Sequence, residues 1–283
     1  MKLLLADSGS TTTEWCLLQD KTPSQTISST GINPYYLDDD AILSEIRTSV
    51  LPVFADVDAI RFYGAGCHSR ETASRIRSAL TTAYGDIPIE VKSDLFGAAR
   101  ALFHRQGGIA CILGTGSNSC HYDGERIMDQ IPPLGFILGD EGSAGCFGRK
   151  ILQGYFYREM PEELREWLEA HHEMSRETVL NAVYHGSRPN QYVAGFSKMF
   201  DAWPGHPWLA DLLQTGISEF LDRHVRRYDA GPEVAAGFVG SLAYAHKELI
   251  IQELQERNIP PGPFLRSPME GLRKYHLDHQ SEF

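Results

Sequence analysis

An uninterrupted apolar run, Ile109-Ala-Cys-Ile-Leu113, stops at Gly114-Thr115-Gly116-Ser117-Asn118. A run of strand length without polar alternation predicts a strand buried on both faces, as in the centre of an α/β sheet. The residues after it are small, so the backbone can turn sharply and leave its N–H groups pointing inward. Such a nest suits an anion, phosphate above all, although Gly, Ser and Asn also make plain hairpin turns. The chain opens on the same design. Met1 to Ala6 reads as a strand, Asp7-Ser8-Gly9-Ser10-Thr11-Thr12-Thr13 as a turn, and Trp15-Cys16-Leu17-Leu18 as a returning strand. The tip of that hairpin sets N–H and hydroxyl donors beside a carboxylate. Donors suit phosphate oxygens, and the Asp7 carboxylate suits Mg²⁺, which takes oxygen ligands and keeps several waters.

Strands and helices alternate along the rest of the first half. A third strand, Gln25 to Thr30, delivers Gly31-Ile32-Asn33-Pro34, where the proline biases Asn33 toward extended backbone. A helix is expected from Asp38 to about Val50, with carboxylates at its positive end. The strand Ala59 to Tyr63 ends in Gly64-Ala65-Gly66-Cys67-His68, which lacks the third glycine of a dinucleotide fingerprint. A helix over Arg70 to Tyr84 follows, then a strand over Ile87 to Val91. Ser93 or Asp94, just beyond that strand, sits where a helix cap is expected.

The second half repeats the opening. After Gly114 to Asn118 come Ser119 to Tyr122, the hairpin signal Asp123-Gly124, and Glu125 to Met128. Gly139-Asp140-Glu141-Gly142 precedes a helix from about Ser143 to Arg158, and suits a ligand or metal contact or simple capping. The pattern from Pro161 to about Tyr228 is helical throughout. Val234 to Val239 is a buried strand closing in Gly240-Ser241, where the missing side chain lets a flat ring approach the backbone. A helix to about Arg257 comes next. Pro260-Pro-Gly-Pro263 reads as a stiff connector, and Ser267 to about His279 as a terminal helix.

Composition narrows the function classes. The 283 residues carry a formal net charge of -11, which argues against a nucleic-acid partner. No apolar run is long enough to span a bilayer, and no signal peptide precedes the first strand. Five cysteines without CxxC spacing predict free, mostly buried thiols and a cytoplasmic enzyme. His171-His172, His206 and His224 lack zinc-ligand spacing. Neither a GxxxxGK[ST] loop nor a Gly-x-Ser-x-Gly elbow occurs.

Four motifs in order, Asp7-Ser-Gly-Ser-Thr11, Gly114-Thr-Gly-Ser-Asn118, Gly139-Asp-Glu-Gly-Ser-Ala144 and Phe238-Val-Gly-Ser-Leu-Ala243, give a marked resemblance over almost the whole chain. The chain resembles N-acetylglucosamine kinases of the BadF/BadG/BcrA/BcrD-type ATPase family, within the actin/hexokinase/Hsp70 superfamily. The resemblance implies an α/β fold of two duplicated ribonuclease H-like domains with a nucleotide cleft between them. Residues 1–104, with a terminal helix over 267–283 packing back, would form one domain. Residues 105–266 would form the other, with a helical insertion over about 161–228.

It also implies ATP and Mg²⁺ as cofactors and a small-molecule amino sugar as partner, with room for a homodimer. ATP would be held by Asp7, Gly9, Ser10, Thr11, Thr13, Gly114, Thr115, Gly116, Gly240 and Ser241. Asp94 is implied as general base. The sugar set would be Gly31, Asn33, Asp94, Ser117, Asn118, Gly135, Asp140 and Glu141. Asp7 and Asp140 would hold the metal through water. Family members usually carry glycines where Pro132, Pro133 and Leu134 stand, a departure that touches the implied sugar pocket. Two other readings are an ATP-driven electron-transfer activator, for which no cysteine pair is suitably placed, and a non-catalytic sugar or nucleotide sensor, which would need a DNA-binding module.

Overall fold

The structure, a computed structural model, describes residues 1–19 and 22–279. It divides into two compact units: Met1–Ala110 with His121–Met128 and Leu265–Phe283, and Cys111–Cys120 with Asp129–Phe264.

The first unit is built on a five-stranded sheet of β1 (Lys2–Ser8), β2 (Thr12–Gln19), β3 (Thr22–Thr30), β4 (Ala59–Gly64) and β5 (Ile89–Ser93), in the order β3-β2-β1-β4-β5. The first three strands form an antiparallel meander, and β4 and β5 join parallel to β1. The run Leu3-Leu4-Leu5-Ala6 is apolar at every position because both faces of β1 are covered. Leu4 and Ala6 pack with Trp15, Phe62 and Ile76, while Leu3 and Leu5 pack with Cys16, Leu18, Met269 and Leu272. The helix Arg70–Tyr84 starts on a capping box between Ser69 and Thr72. The strand expected over Ile87 to Val91 lies two residues later. Pro88 has no N–H for the ladder, so pairing opens at Ile60↔Ile89 and runs to Gly64↔Ser93.

The helix Asp94–Phe103 follows directly, with Ser93 as its cap. The terminal helix Pro268–Asp278 packs against it, and only glycine fits at 271, where a Cβ would stand 2.3 Å from the Ala101 carbonyl oxygen.

The second sheet contains β6 (Gly108–Leu113), β7 (Ser117–Tyr122), β8 (Ile127–Asp129), β9 (Ala236–Val239) and β10 (Pro261–Leu265). Its order, β10-β9-β6-β7-β8, is that of the first sheet with each strand replaced by the one five places later. The duplicated α/β architecture is thus present in strand order. One element departs from expectation: the proline-rich connector is strand β10. It lies at the sheet edge, where prolines that cannot donate to a ladder are tolerated.

Helices Glu162–His171, Arg176–Tyr184, Pro189–Gly195, Met199–Ala202 and Pro207–Arg223 fill the segment between β8 and β9 that reads as helical. The helix expected to run unbroken to Arg257 is interrupted at His246, giving Ser241–Ala245 and Lys247–Glu256. All five cysteines are buried thiols, none in a disulfide among the described residues, and no helix of the described residues is long and apolar enough to cross a membrane.

Candidate functional site

In the first unit, three loops and one helix start meet at the ends of β1, β4 and β5. The Gly9–Thr11 tip is closed by the Gly9 N–H donating to Thr12 O at 3.0 Å. The Gly31 N–H donates to Thr11 O at 2.9 Å, and a Cβ at Gly31 would stand 2.6 Å from Gly9 O and Ser10 C. Glycine at 31 is therefore what lets the end of β3 press on the hairpin tip.

Asn33 is buried and held at both ends of its amide. Its Nδ2 donates to Ser10 Oγ at 3.1 Å, and its Oδ1 accepts from the Tyr35 N–H at 2.9 Å. Behind the tip, Ser8 and Thr13 are fully buried and share a hydroxyl–hydroxyl bond of 2.7 Å, and Thr13 Oγ1 also donates to Thr30 O. The Thr13 hydroxyl is committed to the fold, whereas Ser10 and Thr11 lie at the tip, with Ser10 Oγ accepting from Asn33.

The carboxylates decide the electrostatics. Asp7 and Asp94 are each half-buried. Loss of water, with the charges of Asp94 and Glu14 added, pushes the Asp7 carboxyl from 3.8 up to about 8. Desolvation likewise raises Asp94, opposed by the Leu95 N–H at 2.8 Å, its own N–H and the charge of His68. Glu14 and His68 were not among the residues singled out from sequence. Glu14 was legible in principle, since the hairpin register places it directly across from Asp7. His68 stacks on Tyr35 at 5.6 Å and meets its hydroxyl at 3.1 Å.

In the second unit the Gly114–Gly116 turn is tied to the start of the helix Ala144–Phe156. The Ala144 N–H donates to Gly114 O at 2.9 Å and the Gly145 N–H to Thr115 O at 3.0 Å. Asp140 adopts a left-handed φ of 60°, and its Oδ1 accepts from the Ser117 N–H at 3.3 Å. Burial raises its pKa. Gly116 leaves room for that carboxylate, because a Cβ there would lie 3.0 Å from Asp140 Oδ2. Ser117 Oγ is buried without a hydrogen-bond partner among the described residues, an orphan that suits a ligand.

Gly240 and Ser241 lie against the same turn: at a φ of 126°, a Gly240 Cβ would stand 2.1 Å from Leu113 O. Other expected contacts are already engaged. Glu141 pairs with Arg223 at 2.9 Å and His224 at 3.2 Å, and Asn118 Oδ1 accepts from Ser119 N and Gln130 Nε2. Gly135 opens the short helix Gly135–Leu138, whose neighbours Leu134, Ile137 and Leu138 are exposed. Among the described residues, no three His, Cys, Asp or Glu gather as a metal cluster.

No family model and no curated protein matches the chain. Among solved structures, a protein from Porphyromonas gingivalis described as a putative N-acetylglucosamine kinase is 37% identical. It superposes with a TM-score of 0.93 over 98% of this chain and 99% of its own. A protein of the same description from Chromobacterium violaceum is 19% identical, with a TM-score of 0.68 over 97% and 98%. A ROK-family glucokinase from Streptomyces griseus, solved with glucose and AMPPNP, is 14% identical, with a TM-score of 0.52 over 97% and 98%. The last two likenesses establish the fold.

Proposed function

We propose that this chain, which belongs to the actin/hexokinase-like sugar kinases together with the Porphyromonas protein, phosphorylates the 6-hydroxyl of an amino sugar with ATP, N-acetylglucosamine first and N-acetylmuramate or glucosamine next. The observation that carries this reading is the pairing, in one unit, of a donor-rich turn with a desolvated carboxylate. Phosphoryl transfer demands position, charge neutralisation and a base for the accepting hydroxyl more than covalent chemistry. Ser10 and Thr11 at the first turn and the amides of Thr115 and Gly116 at the second are donors suited to phosphate oxygens, the Gly114 N–H being already given to Gly116 O at 3.0 Å. The turn at Gly240 and Ser241, closed on Leu113, is assigned to the adenosine.

Asp94 is assigned as the base. As the sugar O6 bonds to the γ-phosphorus, the bond from phosphorus to the leaving ADP oxygen breaks, and the O6 proton passes to Asp94. Desolvation raises its proton affinity and so strengthens it as acceptor once ionised. Asn33, fixed by Ser10 and Tyr35, is assigned to orient the sugar.

Mg²⁺ fits the residues present. Loss of water, with Asp94 and Glu14 close by, raises Asp7 to about 8, and a divalent cation relieves such an anionic pocket. A cation that keeps several waters needs no three-residue cluster. Asp7 would hold it through water, with Asp140 the other candidate, and when bound the ion neutralises phosphate charge. A cytoplasmic location accompanies this reading.

The test is ADP release with a panel of N-acetylglucosamine, N-acetylmuramate, glucosamine and glucose. Turnover highest on an amino sugar is expected, and Asp94→Asn should retain sugar and ATP binding while kcat falls about 10²-fold or more. Undiminished turnover in that variant removes Asp94 from the mechanism. Activity confined to glucose removes the amino-sugar assignment.

A further inference from the structure

The first unit has a second charged hollow, of about 630 Å³, on the sheet face covered by the helices Asp94–Phe103 and Pro268–Asp278. Arg61, Arg77, Lys92 and Arg100 line it against one carboxylate, Glu90. In a chain with 37 acidic and 26 basic side chains, that local balance is reversed.

The register explains the gathering. Arg61 on β4 stands directly across from Glu90 on β5, and the two-residue period of a strand puts Lys92 on the same face. Glu90 receives Arg61 Nε at 3.3 Å, Arg100 Nη1 at 3.3 Å and Lys92 Nζ at 4.0 Å. One carboxylate cannot neutralise three cations, and Arg77 adds a fourth. Arg100 is held rigidly, its Nη1 donating to Tyr63 Oη at 2.7 Å and its guanidinium lying 4.6 Å from the Phe96 ring and 5.0 Å from that of Tyr275. Its Nε is buried with no hydrogen-bond acceptor among the described residues. Burial also pushes the Arg61 guanidinium below its ordinary value.

We propose that this hollow is a binding site for a phosphate-bearing small molecule, separate from the glycine turns. A fixed guanidinium fork matches phosphate oxygens, and a surplus of positive charge in a half-closed hollow favours an anion over a neutral ligand. The volume suits a ligand of sugar-phosphate size. An occupant would bear on the elements that carry Asp94: Glu90 and Lys92 lie on the strand ending at Ser93, and Arg100 lies on the helix that Asp94 begins.

Isothermal titration of the full chain with inorganic phosphate and with glucose 6-phosphate, at fixed ionic strength and with AMPPNP present in excess, tests the site. Binding should persist under AMPPNP, and Arg77→Gln/Lys92→Gln should weaken it about tenfold without lowering the Tm of the ligand-free protein. Tighter binding of glucose 6-phosphate assigns an organic phosphate, and equal affinities assign free phosphate. Absence of binding by both ligands, loss of all binding under AMPPNP, or an unchanged affinity in the variant overturns the proposal. Should the double variant fail to fold, the single Arg77→Gln, at an exposed position, must still weaken binding about threefold.

Discussion

Asp7→Asn should stabilise the protein while abolishing most of its activity. Folding lifts this carboxyl from 3.8 to about 8, so the folded state favours its protonated form. The raised value means that Asp7 costs nothing below about pH 4, where it is protonated folded or unfolded. The cost grows as pH rises and levels off above about pH 8, where the folded state too must carry the charge. At 1.36 kcal/mol for each pH unit between those values, the ceiling is about 6 kcal/mol. The carboxyl is only half-buried, so water screens much of that, and a gain of about 2 kcal/mol for the neutral amide at pH 8 is the working expectation.

Urea titrations of both proteins at pH 5, 7 and 9, without Mg²⁺, measure the difference, which should widen from pH 5 to pH 9. Turnover in the variant should fall about 10²-fold, since an amide carries no charge for the metal. A difference in stability that is zero, or the same at all three pH values, refutes the desolvation argument for Asp7 whatever happens to activity.

Two further changes probe the second unit. Gly240→Ala combines an unfavourable φ of 126° with a Cβ 2.1 Å from Leu113 O, and should cost about 2–3 kcal/mol by urea titration and weaken ATP binding in calorimetry. Unchanged stability would mean the β9 turn does not press on β6. Arg257→Met removes the partner of Glu253, paired at 2.7 Å and almost fully buried, and of Asp222 at 2.9 Å. A loss of about 3–5 kcal/mol is expected, much of it recovered by adding Glu253→Gln, because the uncompensated buried charge is what hurts. Thermal melts that show no recovery in the double variant would count against that account.

Local signals carried most of what the sequence disclosed. Leu3 to Ala6 and Ile109 to Leu113 read as doubly buried strands because burial on both faces erases polar alternation, and both became the first strands of their sheets. Ser69, Ser93, Ser143 and Ser267 cap helices within a residue or two of the expected starts. What stayed hidden depended on partners remote in the chain. Pro261 and Pro263 look like a connector until the order shows an edge strand, where no donor is needed. Thr13 looks as available as Thr11 until the strand places its hydroxyl among Ser8, Thr30 and Ile32. The hollow around Arg100 unites residues from 61 to 279, and no sequence window contains it.

The repeated strand order bears on how two similar scaffolds are given different chemistry. In the first unit the turn after the fourth strand donates from Ala65 N to Ser8 O, at the end of the first strand, at 2.7 Å. In the second, the turn after β9 brings Gly240 against Leu113 O, at the end of β6. The same junction is thus pressed together twice, once through a hydrogen bond and once through a missing side chain. What differs is the charge set around it. Asp7, Glu14 and Asp94 crowd the first, whereas the second is stitched by backbone amides to the helix that Ser143 caps. Crowded carboxylates destabilise a fold unless a cation or a proton relieves them, so their retention beside the first turn is an argument for chemistry there. A turn secured by amides needs no such relief, which suits it to holding a ligand in a fixed position.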